Sequence, residues 1–367
     1  MPIDWRDQTR TDRLSFEMVN PTAIDQSYGF LEGVDLTASS LTAGYYTDTR
    51  TSGSLRVVDS NWVRGSMIRV IHEVEEWGYR RELGTYIVTD DHNERENGAW
   101  VTELTLNSRL FGLSTDQHVR TWTIAKNARV LKAMEQSLAS ATCPYQTLSA
   151  NDKTFKEAKV VEPGTTRLAA LYDLCSTAND RLDVDSHGRV TISPYVNPSA
   201  KSPLFRIDLA DTRGIALDGL SRDTDWLQMA SVAAVNYRYT EGKNQKEIVG
   251  VARVDGDAHQ SQASRGYAVS SFQSLSEMSP KTSARAQALA QEALKKEKRE
   301  LIEWSLSTTY IPVWEGDVVE LWVHDGDPDY QGVRKCLVKS LDLELEHMTM
   351  RLTLKETSSG DKGDEST

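Results

Sequence analysis

Between Ile302 and Val323 the chain reads IEWSLSTTYIPVWEGDVVELWV, two alternating β-segments placed directly after a highly charged helix. Successive side chains of a strand point to opposite faces, so Trp304, Leu306 and Thr308 share one face of the first segment. Pro312 ends that segment, since proline cannot donate to a strand ladder. Glu315-Gly316-Asp317 then turns the chain and Val318–Val323 runs back. Strands with one apolar face need partners, and the comparable segments before the helix lie between Leu227 and Val254. The expected architecture is a β-barrel that the chain leaves for an excursion and then rejoins. That suits a scaffold better than a single-site enzyme.

Residues 1–115 also read as β. Leu31–Ala38, Gly53–Val58, Met67–Glu75, Arg80–Asp90 and Gly98–Asn107 are strand candidates, rich in β-branched and aromatic residues with short polar breaks. The clearest pair is Tyr79–Thr89 with Ala99–Leu106, joined by the polar stretch Asp90–Gly98 that ends in the turn dipeptide Asn97-Gly98. Many short strands at regular spacing suggest a barrel or sandwich.

The pattern changes near Asp116. Ile124, Ala128, Leu131, Met134 and Leu138 recur at helical spacing, which predicts a helix over 125–141 that Pro144 stops. A second helix is predicted to begin near Thr165 as N-cap and to bury Leu168, Leu171, Tyr172, Cys175 and Ala178. A hairpin over Arg181–Tyr195, turning at Ser186-His187-Gly188, follows at once. The predicted fold class is α+β, mainly β. A first barrel (1–115) is followed by an α+β insert (116–204) and a second antiparallel barrel (205–254 with 302–357). A helix-containing excursion (255–301) interrupts that barrel, and the tail (358–367) is expected to be disordered.

Composition narrows the function. With 367 residues there is room for roughly two to four domains. The formal net charge is −12, and the one basic run, Lys295–Glu300, is interleaved with acids. A surface that grips nucleic acid needs clustered Lys and Arg, which is missing here. No apolar run approaches the ~20 residues of a membrane span and the charged N-terminus has no apolar core, so neither membrane insertion nor a signal peptide is expected. Cys143, Cys175 and Cys336 are too few and too scattered for a disulfide framework or a zinc site, which points to reduced, buried thiols and assembly in a reducing cytoplasm.

Candidate sites are sparse. Asp90, Asp91, Glu94 and Glu96, with His92, gather oxygens that suit a cation, but their place between two strands favours a mobile charged loop tip. Asp325, Asp327 and Asp329 resemble a calcium loop, yet Tyr330 and Cys336 stand where an EF-hand needs glycine and a bidentate glutamate. A hairpin tip is the simpler reading. Nine tryptophans leave open a glycan-binding surface, with Trp314, beside Pro312, the expected exposed aromatic. No nucleophile elbow, HExxH, P-loop or dinucleotide-binding glycine pattern is present, so no catalytic, cofactor or metal residue is assigned.

The order of barrel, helix-then-hairpin insert and interrupted second barrel resembles the tail-hub (baseplate-hub) proteins of long-tailed bacteriophages, including the hub part of tail-associated lysins. The segments LAALYDLCSTANDRLDVDSHGRVTISPY and TTYIPVWEGDVVEL carry the likeness most directly. The resemblance implies two tail-tube-like barrels per chain and a homotrimeric, pseudo-sixfold ring joining tail tube to tail-tip spike or fibre. DNA would pass through its centre in transit, and the virion would be assembled in the host cytoplasm. The acidic tips Asp90–Glu96 and Asp325–Asp329 are then expected to face the lumen or an adjacent ring. Ending at Thr367, the chain leaves no room for a wall-degrading domain such as the lysins carry. A receptor- or glycan-binding tail-tip module is the first alternative, and a hydrolase with scattered carboxylates the second.

Overall fold

A computed structural model describes Trp5 and residues 10–151, 153–210, 215–217, 219–224, 230–241, 244–254, 261–275, 280–297, 302–324 and 331–357. They divide into two compact units, one drawn from residues 1–220 and 305–357 and the other from 221–304. The expected disordered tail and the Asp325–Asp329 tip lie outside the described residues.

The frame of the first unit is a largely antiparallel sheet. Its spatial order is Ile302–Thr309, Thr349–Glu356, Gly332–Glu344, Val34–Gly44, Thr51–Val58, Ala99–Asn107, Tyr79–Glu96, Met67–Val74, Asp12–Val19 and Ser27–Phe30. Two barrels that stay separate were expected, and hydrogen bonding joins them instead. Ser340–Glu344 pairs with Ser40–Gly44, so early and late strands run into one sheet, and no described sheet closes on itself. The long Gly332–Glu344 strand makes this possible. Its register shifts between Val338 and Ser340 on the Thr349–Glu356 side. On the opposite side its first half pairs with Val318–Val323 and its second half with Val34–Gly44. Alternation within a strand announces a buried face but not which neighbour covers it.

The two segments around Pro312 are strands, and Trp304, Leu306 and Thr308 are all buried as their spacing requires. They do not form a hairpin with each other. Ile302–Thr309 lies beside Thr349–Glu356, while Val318–Val323 pairs with Gly332–Leu337 and, in parallel, with Phe205–Asp208. The connector explains why. Tyr310, Ile311 and Val313 are fully buried, so the chain crosses the core here and does not turn in solvent.

The insert has a core of its own, built around Leu113, Met134, Leu138, Leu171, Leu174 and Ile192. Helix Arg167–Ala178 occurs where expected, while the first helix, Val130–Ser140, starts five residues later than expected, with Ile124 in the short strand Trp122–Ile124. Thr166 caps the second by accepting the Ala169 N–H at 3.1 Å. Leu168, Leu171, Cys175 and Ala178 are buried on it as expected. Asp180–Val184 and Val190–Pro194 form the hairpin. A short helix, Arg109–Thr115, opens this unit's α-helical part and carries Leu110 and Leu113 into the same core. Arg109 donates from Nε to the Gly188 carbonyl (2.6 Å) and from a terminal nitrogen to the Pro21 carbonyl (3.0 Å), tying the hairpin turn to the N-terminal strands.

The second unit is a three-stranded sheet in the order Asn244–Arg253, Val232–Glu241, Ser270–Leu275, with helix Ser283–Glu297 packed on it. The expected grouping of 205–254 with 302–357 holds for Phe205–Asp208, which pairs with Val318–Val323, and is corrected for 232–253 by this pairing. Val232–Arg253 is an antiparallel hairpin whose remaining neighbours, the parallel strand Ser270–Leu275 and the helix, come from the expected excursion. Its small inward residues, Ala230, Ala233 and Ala252, suit the alanines of the helix, of which Ala286 and Ala290 are fully buried. Gly250 marks the closest approach, since a Cβ there would fall 2.1 Å from the Ala286 carbonyl oxygen. The Gln287 amide completes the join by accepting the Val251 N–H (3.1 Å) and donating to the Val251 carbonyl (2.7 Å).

Candidate functional surfaces

Asp90–Glu96 is strand, contrary to the expected loop. Tyr79–Glu96 runs unbroken to Asn97-Gly98, whose φ values of 47° and 94° form the tight turn that the dipeptide favours. Ladder pairs continue through His92↔Glu103, Asn93↔Thr102 and Glu94↔Val101 to Glu96↔Ala99. The polar composition hid a strand whose outer face is charged. Asp91 meets Arg64 at 2.6 Å, and Glu96 pairs with Arg56, which also approaches Asp35 at 4.0 Å. Glu94 and Glu96, two apart on one face, share a hydrogen bond, and that bond with the Glu96 charge raises the Glu94 carboxyl above its usual value. Asp90 and Glu94 stay exposed. The result is an acidic, partly ion-paired strand end, with Asp90, Glu94 and Glu96 on one face and Asp91 on the other. Among the described residues no group of His, Cys, Asp and Glu is arranged to hold a metal ion.

Trp314 is half-buried where exposure was expected. It lines a groove of about 470 Å³ with Arg80, Glu82, Asp185 and His187, and its backbone N–H donates to Asp317 at 2.8 Å. None of the residues Asp90–Glu96 lines that groove. Among the described residues Trp100, beside the Asn97-Gly98 turn and opposite Arg95, is the tryptophan that faces solvent, at 57% exposure. Its place next to a turn dipeptide was the available signal.

Beneath Trp314 the turn Glu315-Gly316-Asp317 sinks into an ionic cluster that joins sheet and insert. Lys201 Nζ donates to the Gly316 carbonyl at 2.7 Å, and Arg181 pairs with Asp183 at 2.7 Å while lying 4.1 Å over the Tyr45 ring. Burial, reinforced by the Asp183 charge, pushes the Glu315 carboxyl well above its usual range, and one of its oxygens has no hydrogen-bond partner. Burial also raises Asp317 and lowers Lys201. Sequence reasoning saw only a turn here, since three polar residues in a loop carry no sign of burial.

His72, fully buried on Met67–Val74, bonds Asp12 at 2.7 Å, and Arg10 donates to the other Asp12 oxygen at 3.0 Å. Burial alone would raise Asp12, but the bonds from His72 and Arg10 outweigh it and hold the carboxyl below its usual value. Tyr79 and Tyr310 pack edge-on against His72, and Trp5 packs edge-on against both tyrosines. The residue that follows the Ile302–Thr309 strand therefore packs on the opposite end of the sheet, which curls to bring the two together. Cys143, Cys175 and Cys336 are buried free thiols, and burial pushes Cys143 up to about 11 and Cys175 to about 12, leaving no reactive thiolate at neutral pH.

One end of the sheet remains open. Among the described residues Ser27–Phe30 pairs only with Asp12–Val19, and it is exposed throughout, with Tyr28 and Phe30 at 44% and 54%. Asn61 Nδ2 covers the Phe30 carbonyl at 3.0 Å, and the rest of this edge, flanked by aromatic side chains, is a template for another chain.

No protein-family model and no curated protein sequence matches the chain. Solved structures do. A tail protein from Neisseria meningitidis MC58 superposes with a TM-score of 0.63 at 13% identity, covering 94% of this chain and 96% of that one. The 43 kDa tail protein of prophage MuSo2 from Shewanella oneidensis gives 0.60 at 11% identity, covering 94% and 98%. Prophage tail protein gp18 from Listeria monocytogenes EGD-e gives 0.55 at 10% identity, covering 94% and 95%. The fold of this chain, mostly β with a large antiparallel sheet, is similar to that of these tail proteins over almost its whole length.

Proposed function

We propose that the chain is a structural tail-hub subunit of a bacteriophage virion. Three copies form a ring at the tail tip that joins the tail tube to the spike or fibre and surrounds the DNA exit channel. The likeness to tail proteins over nearly the full length of both chains is the observation that carries this reading. The open Ser27–Phe30 edge supports it, because a heterologous contact repeated about an axis covers every such edge once the ring closes. The acidic face along Asp90–Glu96 supports a lumenal position, where carboxylates repel passing phosphates and keep DNA from sticking. Asp325, Asp327 and Asp329 are proposed for the same lumen or for the adjoining ring. Function on this reading is geometric and needs no catalytic residue.

Mass photometry of the purified chain over a concentration series tests the oligomer. The expected species has three times the 41.1 kDa chain mass and grows with concentration. A monomer throughout, together with failure to enter assembled tails, would overturn the proposal. Solvent-facing Trp100 is the observation that favours a glycan-binding module instead, and glycan-array binding by the monomer, lost in Trp100→Ala, would decide for it.

A further inference from the structure

A cavity of about 370 Å³ opens on the insert and has no role in the hub reading. Arg120, Arg167, His118, Trp122 and Ser137 are among its lining residues, and no acidic residue lines it although the chain carries a net charge of −12. Arg167 is fixed from behind by Asp116 and by a hydrogen bond to Ser140 Oγ at 2.6 Å. Arg120 is exposed and forms no ion pair among the described residues.

Two further polar groups at this cavity lack partners. Ser137 is 2% exposed and its Oγ makes no hydrogen bond, and His118 Nε2 is buried and equally unpartnered. Such groups cost free energy unless something satisfies them. The His118 ring stacks on Trp122 at 5.4 Å and 15°, and burial with the Arg167 charge lowers its pKa. A neutral imidazole keeps one N–H to donate. Beside this donor set stands an apolar wall, Trp122 with the 88%-exposed Val119 at the rim. The backbone carbonyls of Ser137 and Leu138, near the end of the helix here, are already taken by the Ala141 and Cys143 N–H groups.

We propose that this cavity binds a carboxylate carried on an apolar or aromatic body, the carboxylate between Arg120 and Arg167 and the body against Trp122 and Val119. A guanidinium fork suits a planar carboxylate, and the wall selects against a small hydrated anion. The same chemistry is offered by a free aromatic acid or by a glutamate side chain flanked by apolar residues in another protein.

The full chain is titrated calorimetrically with phenylacetate, phenylacetamide, inorganic phosphate and the peptide acetyl-Leu-Glu-Leu-amide. Saturable binding of phenylacetate or of the peptide is expected, and the tighter of the two identifies the source of the carboxylate. Phenylacetamide should bind roughly tenfold more weakly than phenylacetate, the worth of one charge-assisted hydrogen bond. Arg120→Gln, a surface change that leaves the melting temperature unchanged, should weaken the carboxylate ligands by a similar factor, and Trp122→Leu should weaken phenylacetate. No binding of either carboxylate probe at ~10 mM, about ten-thousandfold above a micromolar affinity, overturns the proposal. So does equal affinity for phenylacetamide, an unchanged affinity in Arg120→Gln, or phosphate binding as tightly as phenylacetate.

Discussion

Leu41 and Leu343 face each other across the seam where the early and late strands meet, and both are fully buried. Directly opposed residues of an antiparallel pair have Cβ atoms about 5 Å apart, close enough to share a packing environment. Truncating either to alanine should cost about 3 kcal/mol, within the ~2–5 kcal/mol range for a buried leucine. The second truncation enlarges a hole already made and removes contacts partly lost before. The double variant should therefore fall short of the sum by about 1 kcal/mol, as expected for neighbours. Urea unfolding of the wild type, both single variants and the double variant closes the cycle. Leu41 with Leu171, which is fully buried in the insert's separate core, serves as the control and should be additive within about 0.5 kcal/mol. An additive Leu41/Leu343 pair would refute the continuous sheet and restore two independent barrels.

Gly250→Ala should loosen the second unit, because its methyl would meet the Ala286 carbonyl and overpacking of this kind costs about 1–3 kcal/mol; hydrogen exchange of residues 283–297 reads the loss. Asp12 has its folded pKa depressed, so its contribution is present above the unfolded value near 3.8 and is lost as pH falls through the folded one. Asp12→Asn should thus lower stability at pH 7 and converge with the wild type in strong acid, followed by thermal melting. Glu315 has its folded pKa raised, so its contribution is full below the unfolded value near 4.5 and is lost as pH rises through the folded one. Glu315→Gln should therefore match the wild type near pH 4 and exceed it at pH 8; the reverse order would show that the carboxylate is satisfied.

Local structure was legible where chemistry was local. The helix start was placed near Thr165, one residue before the actual cap Thr166; Leu168, Leu171 and Cys175 announce its buried stripe, and Asn97-Gly98 a turn that only residues tolerant of positive φ can make. Pairing was not legible, because Val232–Arg253 presents the same alternation whether its neighbours are Val318–Val323 or Ser270–Leu275. Asp90–Glu96 misled for a physical reason: its polar side chains lie on a strand whose charges are met by Arg56 and Arg64, far away in sequence. Trp314 misled the other way, since proximity to Pro312 suggests solvent while the buried Tyr310, Ile311 and Val313 pull the segment inward.

Negative-stain imaging of the purified chain, at a concentration where the oligomer dominates, tests the hub reading most directly. Class averages should show a closed ring with a central hole, threefold in mass and near sixfold in outline. Particles without a hole, or open chains built through the Ser27–Phe30 edge, would contradict it.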